Sequence, residues 1–374
     1  LIKIYDRNLI PLGEIVNYTS IQFGESQYDA APFEIHVNAA IEGAEELAKN
    51  RIILIDDDPE KAGLITDYNR ADDDQDMIVI KGYELKIITR QRETLAPEGK
   101  EYATYHGTVE TVMRNILLDN FIKPTDSARI YPFLTLTELK GIGEKITIQS
   151  TNKNVYDLLV ELAQSYNVGW RIIPNFATST YDFVIYESED RSGEVFFEDE
   201  SGSNNILSAE YTDSVENFRN VAYVFGEGEG AERKRVSIGN ARGWDRHEVT
   251  IDARDIQSET DEDTTLSDAE YEALLRQRGN EKLTEYAAEE FLDIKTLSDV
   301  QSPYQYKRDY FLGNKVQIMH HRWGLSKVDQ ITKVTHIWES SGYRLEQTFG
   351  AEKPTIKNIF KNIDSRLSTL ENSN

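Results

Sequence analysis

Ile78-Val79-Ile80-Lys81-Gly82-Tyr83-Glu84-Leu85-Lys86-Ile87-Ile88 is a nearly unbroken β-forming run. Branched and aromatic side chains suit a pleated, half-buried surface, so the run predicts one long strand. Gly82 in its middle predicts a bulge or a bend at a barrel corner. Upstream, Phe33, Ile35 and Val37 alternate with Glu34, His36 and Asn38, the period of a half-buried strand. The run Arg51 to Ile55 stops at Asp56-Asp57-Asp58-Pro59. Short strands at close spacing, with no long helix between them, predict a small antiparallel barrel or sandwich over residues 1–98.

The pattern changes after Pro97-Glu98-Gly99. Val109, Val112, Met113, Ile116 and Leu117 recur at helical spacing behind Thr108, a cap residue type. A second helix is expected from Val155 to Tyr166, capped by Asn154, then strands at Val168–Ile173 and Tyr181–Tyr186. Residues 99–190 therefore read as a small α/β domain. Strand patterning returns over 191–350. Asn220–Phe225 and Arg233–Ile238 flank a glycine turn and predict a hairpin. An acidic linker, Ser258 to Asp263, precedes Ser267-Asp268-Ala269-Glu270, a capping box that opens a helix of some 25 residues. Gly279 should weaken that helix. The helical insertion spans about 264–298, and strands resume from Tyr310 to Phe349. Ile356, Ile359, Phe360, Ile363, Leu367 and Leu370 predict a final amphipathic helix or the start of a stalk in 351–374. The fold class is thus α+β and strand-rich: two related antiparallel β-barrel domains, 1–98 (completed by part of 191–225) and 191–350, with smaller α/β and helical insertions.

Composition narrows the function. The chain has 374 residues, a formal net charge of −25 and no cysteine. Such acidity argues against an outer surface that grips nucleic acid or anionic lipid. The missing thiols exclude disulfides, cysteine-based zinc sites, iron–sulfur clusters and thiol nucleophiles. No apolar run is long enough for a membrane-spanning helix, and the first residues do not form a secretory leader. The 20 tyrosines and 14 phenylalanines suit strands and interaction surfaces.

No constellation predicts a reaction. Gly226-Glu227-Gly228-Glu229-Gly230 superficially resembles a phosphate loop, but glutamates interleave the glycines and a strand follows, so a hairpin turn is expected. The clusters Asp56-Asp57-Asp58 and Asp72-Asp73-Asp74 with Asp76 lack EF-hand spacing and read as solvated loops. His320 and His321 are neighbours, so on a strand they point to opposite faces and do not share one metal. His106, His247 and His336 stand alone in the sequence. Arg233-Lys234-Arg235 reads as an internal ion-pair element or interface. The expectation is therefore no catalytic residue, no cofactor-binding residue and no metal ligand, and a protein that is not an enzyme.

The stretch Tyr223-Val224-Phe225-Gly226-Glu227-Gly228-Glu229-Gly230-Ala231-Glu232-Arg233-Lys234-Arg235-Val236, followed by Gly243-Trp244-Asp245-Arg246-His247-Glu248-Val249-Thr250-Ile251-Asp252-Ala253-Arg254-Asp255, resembles the central segment of tail-tip hub proteins of long-tailed bacteriophages. Asp309-Tyr310-Phe311-Leu312-Gly313-Asn314-Lys315-Val316, Val328-Asp329-Gln330-Ile331-Thr332-Lys333-Val334 and Leu345-Glu346-Gln347-Thr348-Phe349-Gly350 resemble that family's closing barrel, with Asn314 where an Asp is common. The helix from Leu266-Ser267 through Leu275-Arg276-Gln277-Arg278-Gly279 fits as well. The resemblance is clearest over 215–350 and is one of layout before that.

It implies a structural baseplate hub, or tail-associated protein, of a phage or prophage. Three copies would form a pseudo-sixfold ring that caps the tail tube and opens for DNA during infection. The implied partners are two further copies of the chain, the distal tail ring protein and the tape-measure protein. A host cell-wall receptor would be reached through other tail proteins. DNA would pass without specific binding along an acidic channel wall, and the location would be the virion tail tip, assembled in the host cytoplasm. Two other readings stay open: a module that binds or cleaves cell-wall polysaccharide, and a β-rich adhesin fragment.

Overall fold

The computed structural model describes residues 1–71, 76–200, 205–261, 264–296 and 302–350. One large, mostly antiparallel sheet runs through both strand-rich stretches. Its order is Ile206–Ser214, Glu289–Thr296, Gly342–Gly350, Leu325–Glu339, Ser20–Ser26, Pro32–Asn38, Met77–Glu84, Ala62–Arg70, Ile52–Ile55, Ile2–Tyr5 and Pro11–Ile15. Lys315–His320 pairs with the first part of Leu325–Glu339, and Phe196–Glu198 lies parallel beside it. The N-terminal and C-terminal stretches join where Ile21–Ser26 pairs antiparallel with Lys333–Trp338.

This corrects the expectation of two barrels, since among the described residues no barrel closes. The N-terminal strands do curl round a core of their own, in which Ile2, Ile15, Ile21, Phe23, Ile35, Ile53 and Ile80 are buried together. Closure would need a ladder between Pro11–Ile15 and Ser20–Ser26. A strand has two edges, and Ser20–Ser26 gives one to Pro32–Asn38 and the other to Leu325–Glu339. The result is a strand-rich α+β fold built on one continuous sheet.

The run at residues 78–88 also departs from expectation. Met77–Glu84 is a strand, and Leu85–Gln91 then winds into a 3-10 helix. Leu85, Ile87 and Ile88 leave the sheet to enter a second core, shared with Val112, Met113, Leu159, Trp170 and Phe183. Gly82 pairs in register on both sides, and the irregularity falls in its partner, between Ile65 and Asp67. A Cβ on Gly82 would meet the Leu64 carbonyl oxygen and the Phe33 ring.

That second core belongs to helices α1 (Val109–Leu117) and α2 (Val155–Ser165) and to the strands Val168–Asn175, Thr180–Glu187 and Leu134–Leu136. The predicted caps are made: Thr108 Oγ1 accepts from Thr111 N at 3.2 Å, and Asn154 Oδ1 from Tyr156 N at 3.1 Å. Helix α3 (Asp268–Thr284) starts at the capping box of Ser267 and Glu270. It is 17 residues long, shorter than expected, because Glu289–Thr296 joins the sheet. It packs on Val221–Phe225, which pairs with Arg235–Ile238 and Glu248–Asp252. Gly279 permits this packing rather than weakening it, since a Cβ there would lie 2.2 Å from Ile238 Cδ1 and 2.6 Å from Val224 Cγ2. Within the acidic linker, Glu259–Asp261 pairs with Thr264–Thr265. The rest of that linker (262–263), Asp72-Asp73-Asp74 and the C-terminal helix lie outside the described residues. Among the described residues no helix is long and apolar enough to cross a membrane.

Candidate functional site

The ladder between Ser20–Ser26 and Leu325–Glu339 places Glu25 beside Val334, with its carboxylate on the inner face near His336. Both side chains are 1% exposed. Glu25 Oε1 lies 3.4 Å from His336 Nε2 and 3.1 Å from Lys307 Nζ. The Tyr306 hydroxyl donates to Glu25 Oε2 at 2.5 Å. Lys307 also reaches Asp58 at 2.7 Å and Glu60 at 2.8 Å, and Glu60 pairs with Arg171. One ionic network thus ties five separated segments of chain together.

The electrostatics follow from burial. Desolvation works against the Glu25 charge, but His336, Lys307 and Arg171 outweigh it and hold the carboxyl far below its usual range. Burial depresses the His336 imidazole, whose Nδ1 lies 2.8 Å from the Tyr343 hydroxyl. Burial and then Glu25 push the Tyr306 phenol well up. Next to this network, Glu84 Oε2 accepts from Ser26 N at 3.1 Å and Ala31 N at 2.8 Å. The buried Lys86 ammonium lies 3.6 Å from the same oxygen and donates to the carbonyls of Ser26 and Asp29. Burial pushes Glu84 up to about 7 and Lys86 down.

A neutral knot adjoins it. Gln330 Nε2 donates to Gln27 Oε1 at 2.9 Å and to Ser188 Oγ at 2.6 Å. Gln27 Nε2 donates to Ser188 Oγ and to Asn167 Oδ1. The N-terminal strands, the α/β portion and the C-terminal strands meet there through side chains that are not free to part singly. A carboxylate, an imidazole and a phenol in one place are also the groups of acid–base chemistry. Here they are sealed from solvent and engaged with one another. The arrangement locks parts of the chain together.

A second ionic contact links α2 to α3. Lys282 Nζ lies 3.0 Å from Glu161 Oε1, Lys153 pairs with the same carboxylate, and the Tyr166 hydroxyl donates to Glu281 at 2.8 Å. Against the cost of burial, the two lysines bring Glu161 down to about 2.

The residues singled out in the sequence are dispersed. Gly226–Gly230 forms the turn between Val221–Phe225 and Arg235–Ile238, as expected, and Arg233 donates to the Gly226 and Phe225 carbonyls across it. Arg233 pairs with Asp252 and Lys234 with Asp268, so the basic run is an ion-pair element. Asp57 pairs with Lys3 and Asp76 with Arg70, while Asp58 enters the Lys307 network. His106 meets Thr147 Oγ1, and His247 lies edge-on to Phe218. His320 and His321 diverge, the first stacking on Trp323 at 3.7 Å. Among those described, His336 and Asp58 lie in the junction. Glu25, Lys307 and Arg171 carried no signal in the sequence, because the network assembles from segments as far apart in the chain as Glu25 and His336.

A family model described as Siphovirus ReqiPepy6 Gp37-like protein matches residues 1–351. The chain belongs to this family. Its fold is similar to that of solved tail proteins, two of them from prophages. A tail protein from Neisseria meningitidis MC58 superposes with a TM-score of 0.58 at 12% identity, over 94% of this chain and 96% of that one. The 43 kDa tail protein of prophage MuSo2 from Shewanella oneidensis gives 0.58 at 12%, over 93% and 98%. Prophage tail protein gp18 from Listeria monocytogenes EGD-e gives 0.54 at 13%, over 98% and 99%. No curated protein matches the Gp37-like chain.

Proposed function

We propose that this chain is the structural, non-enzymatic hub of a phage or prophage tail tip or baseplate. Three copies would form a ring that caps the tail tube and opens for DNA passage. One observation carries the reading: the large sheet ends in an edge strand at each side, Ile206–Ser214 and Pro11–Ile15. Leu207 and Val215 are exposed at the first edge, Ile10 and Val16 at the second. Two unlike, partly apolar edges on one body favour head-to-tail pairing, which closes into a ring when the rotation allows. The four-part division at residues 98, 190 and 350, the tail-tip location and the ring and tape-measure partners belong to the same proposal.

The outer face of the sheet supports passage of DNA without specific binding. Its bases stand beside acids: Lys81 with Glu34 at 2.7 Å, Lys295 with Glu346 at 3.1 Å and Arg344 with Glu339 at 2.7 Å. Cations already paired release few counterions from phosphate. The trough of about 490 Å³ on this face contains Glu210, Asp293 and Glu346 but no aromatic side chain among its lining residues. That counts against a polysaccharide cleft.

Light scattering on the purified protein, alone and mixed with tail tube protein, tests the reading. The expected species has three times the 42.9 kDa chain mass and a central hole in electron micrographs. Ser208→Pro, placed on the edge strand, should leave a folded monomer. A monomer under both conditions for the wild type would overturn the ring.

A further inference from the structure

The parallel pairing of Phe196–Glu198 with Gln317–Met319 brings the ends of two strands side by side. Residues 198–200 therefore lie against residues 319–321. Phe197 is buried, so Glu198 takes the opposite face, and Glu200, two residues on, returns to that side. His321 opens the turn His321–Trp323 and points at both carboxylates, its Nε2 lying 3.9 Å from Glu198 Oε2 and 3.7 Å from Glu200 Oε2.

From this juxtaposition we infer that Glu198, Glu200 and His321 form a binding site for one divalent transition ion of the zinc class. One ligand atom of each lies within 4.8 Å of the others. A tetrahedral ion with bonds near 2.1 Å wants its ligands about 3.4 Å apart, so His321 stands close to that spacing from each carboxylate, while the two carboxylates, within 4.8 Å of each other, close on the ion by side-chain rotation. The donor chemistry selects the metal: an imidazole with two carboxylates suits zinc-like ions, whereas calcium and magnesium prefer oxygen alone. Among the described residues no arginine or lysine pairs with Glu198 or Glu200, so two acids face one imidazole without a fixed cation.

The supports of the site are built in. Asp199, 3% exposed at its side chain, accepts the backbone N–H of His321 at 2.6 Å and so fixes the turn that carries the ligand. Its second oxygen lies 3.3 Å from the buried Nδ1 of His320, which therefore faces away from the ligand cluster. Asn205, buried, holds Glu198 in both directions: its Oδ1 accepts from Glu198 N at 2.8 Å and its N donates to Glu198 O at 3.1 Å. Such outer contacts orient ligands before the ion arrives. Three protein ligands leave a fourth position for water or for a group from a neighbouring molecule. A bound ion would cross-link the end of Phe196–Glu198 to the His321–Trp323 turn.

The test uses the full chain, stripped with a chelator and titrated with Zn²⁺ by calorimetry, with metal content measured by mass spectrometry and Co²⁺ followed by its visible spectrum. One ion per chain is expected, with Co²⁺ bands typical of nitrogen and oxygen ligands. H321A and E200Q should each bind at least tenfold more weakly while keeping the wild-type circular dichroism. Millimolar Ca²⁺ or Mg²⁺ should not displace Zn²⁺. Equal binding by H321A, or displacement by Ca²⁺ at similar concentration, would reduce the signal to diffuse attraction by an acidic chain and overturn the site.

Discussion

Glu25 and His336 face one another at 3.4 Å across the ladder that fuses the N-terminal and C-terminal strands into one sheet. Neither is accessible to water, and Lys307, Tyr306 and Arg171 complete their surroundings. The charge of Glu25 is held by partners from other parts of the chain, so the join and the network stand or fall together.

Replacing Glu25 by Ala should therefore cost about 3–5 kcal/mol, because Lys307 and Tyr306 lose the buried carboxylate they face. Tyr306→Phe removes one hydrogen bond to that charge and should cost about 1.5–3 kcal/mol. Urea unfolding of both variants checks the order. Equal, sub-kilocalorie losses would mean that water enters the junction and screens it.

Acid should weaken the contact between α2 and α3. Glu161 titrates near 2 when folded, below its ordinary value of 4.5. Its stabilisation is complete above that ordinary value and disappears as pH falls towards 2, roughly 3 kcal/mol in all. Glu161→Gln should be less stable than the wild type at pH 7, and the gap should close by pH 2. Thermal melts across this range would show it.

Glu84 should act with the opposite sign. Its folded pKa is raised to about 7, so the native state holds a proton that the unfolded chain has lost. Stability from this group is greatest below 4.5 and falls as pH rises through 7. Glu84→Gln keeps an acceptor for Ser26 N and Ala31 N but cannot ionise, so it should gain on the wild type between pH 5 and 8. A constant difference over that interval would show that Lys86 neutralises the carboxylate fully.

At Gly279 two effects compete. Alanine is favoured in a helix by about 1 kcal/mol, yet its methyl would overlap Ile238 and Val224. Overpacking of a fitted core costs about 1–3 kcal/mol, so Gly279→Ala should destabilise by up to about 2 kcal/mol and Gly279→Val by more. Gly279→Ala combined with Ile238→Val should recover part of the loss.

Local elements were legible in the sequence because local residues make them. Thr108, Asn154 and the Ser267/Glu270 box capped the helices their spacing predicted, and Pro32–Asn38 kept its alternation. Errors arose where a distant partner decided. Leu85 to Ile88 has the composition of a strand but turns into the core of the α/β portion. Gly279 reads as a helix weakener until Ile238 is placed beneath it. Closed barrels fit the strand spacing until Ser20–Ser26 is seen to pair with residues near the far end of the chain. The junction was invisible for the same reason, since a glutamate at 25 and a lysine at 307 share no local pattern.

The separation has a consequence for biosynthesis. Gln27 waits for Gln330, 303 residues later. At about 5–20 residues per second of translation, the interval is roughly 15–60 s. Throughout it the Leu325–Glu339 side of Ser20–Ser26 has no native partner, on a nascent chain crowded among others of its kind. The ladder that joins the N-terminal and C-terminal stretches needs Lys333–Trp338, so a ribosome that stops before these residues releases a chain that lacks it.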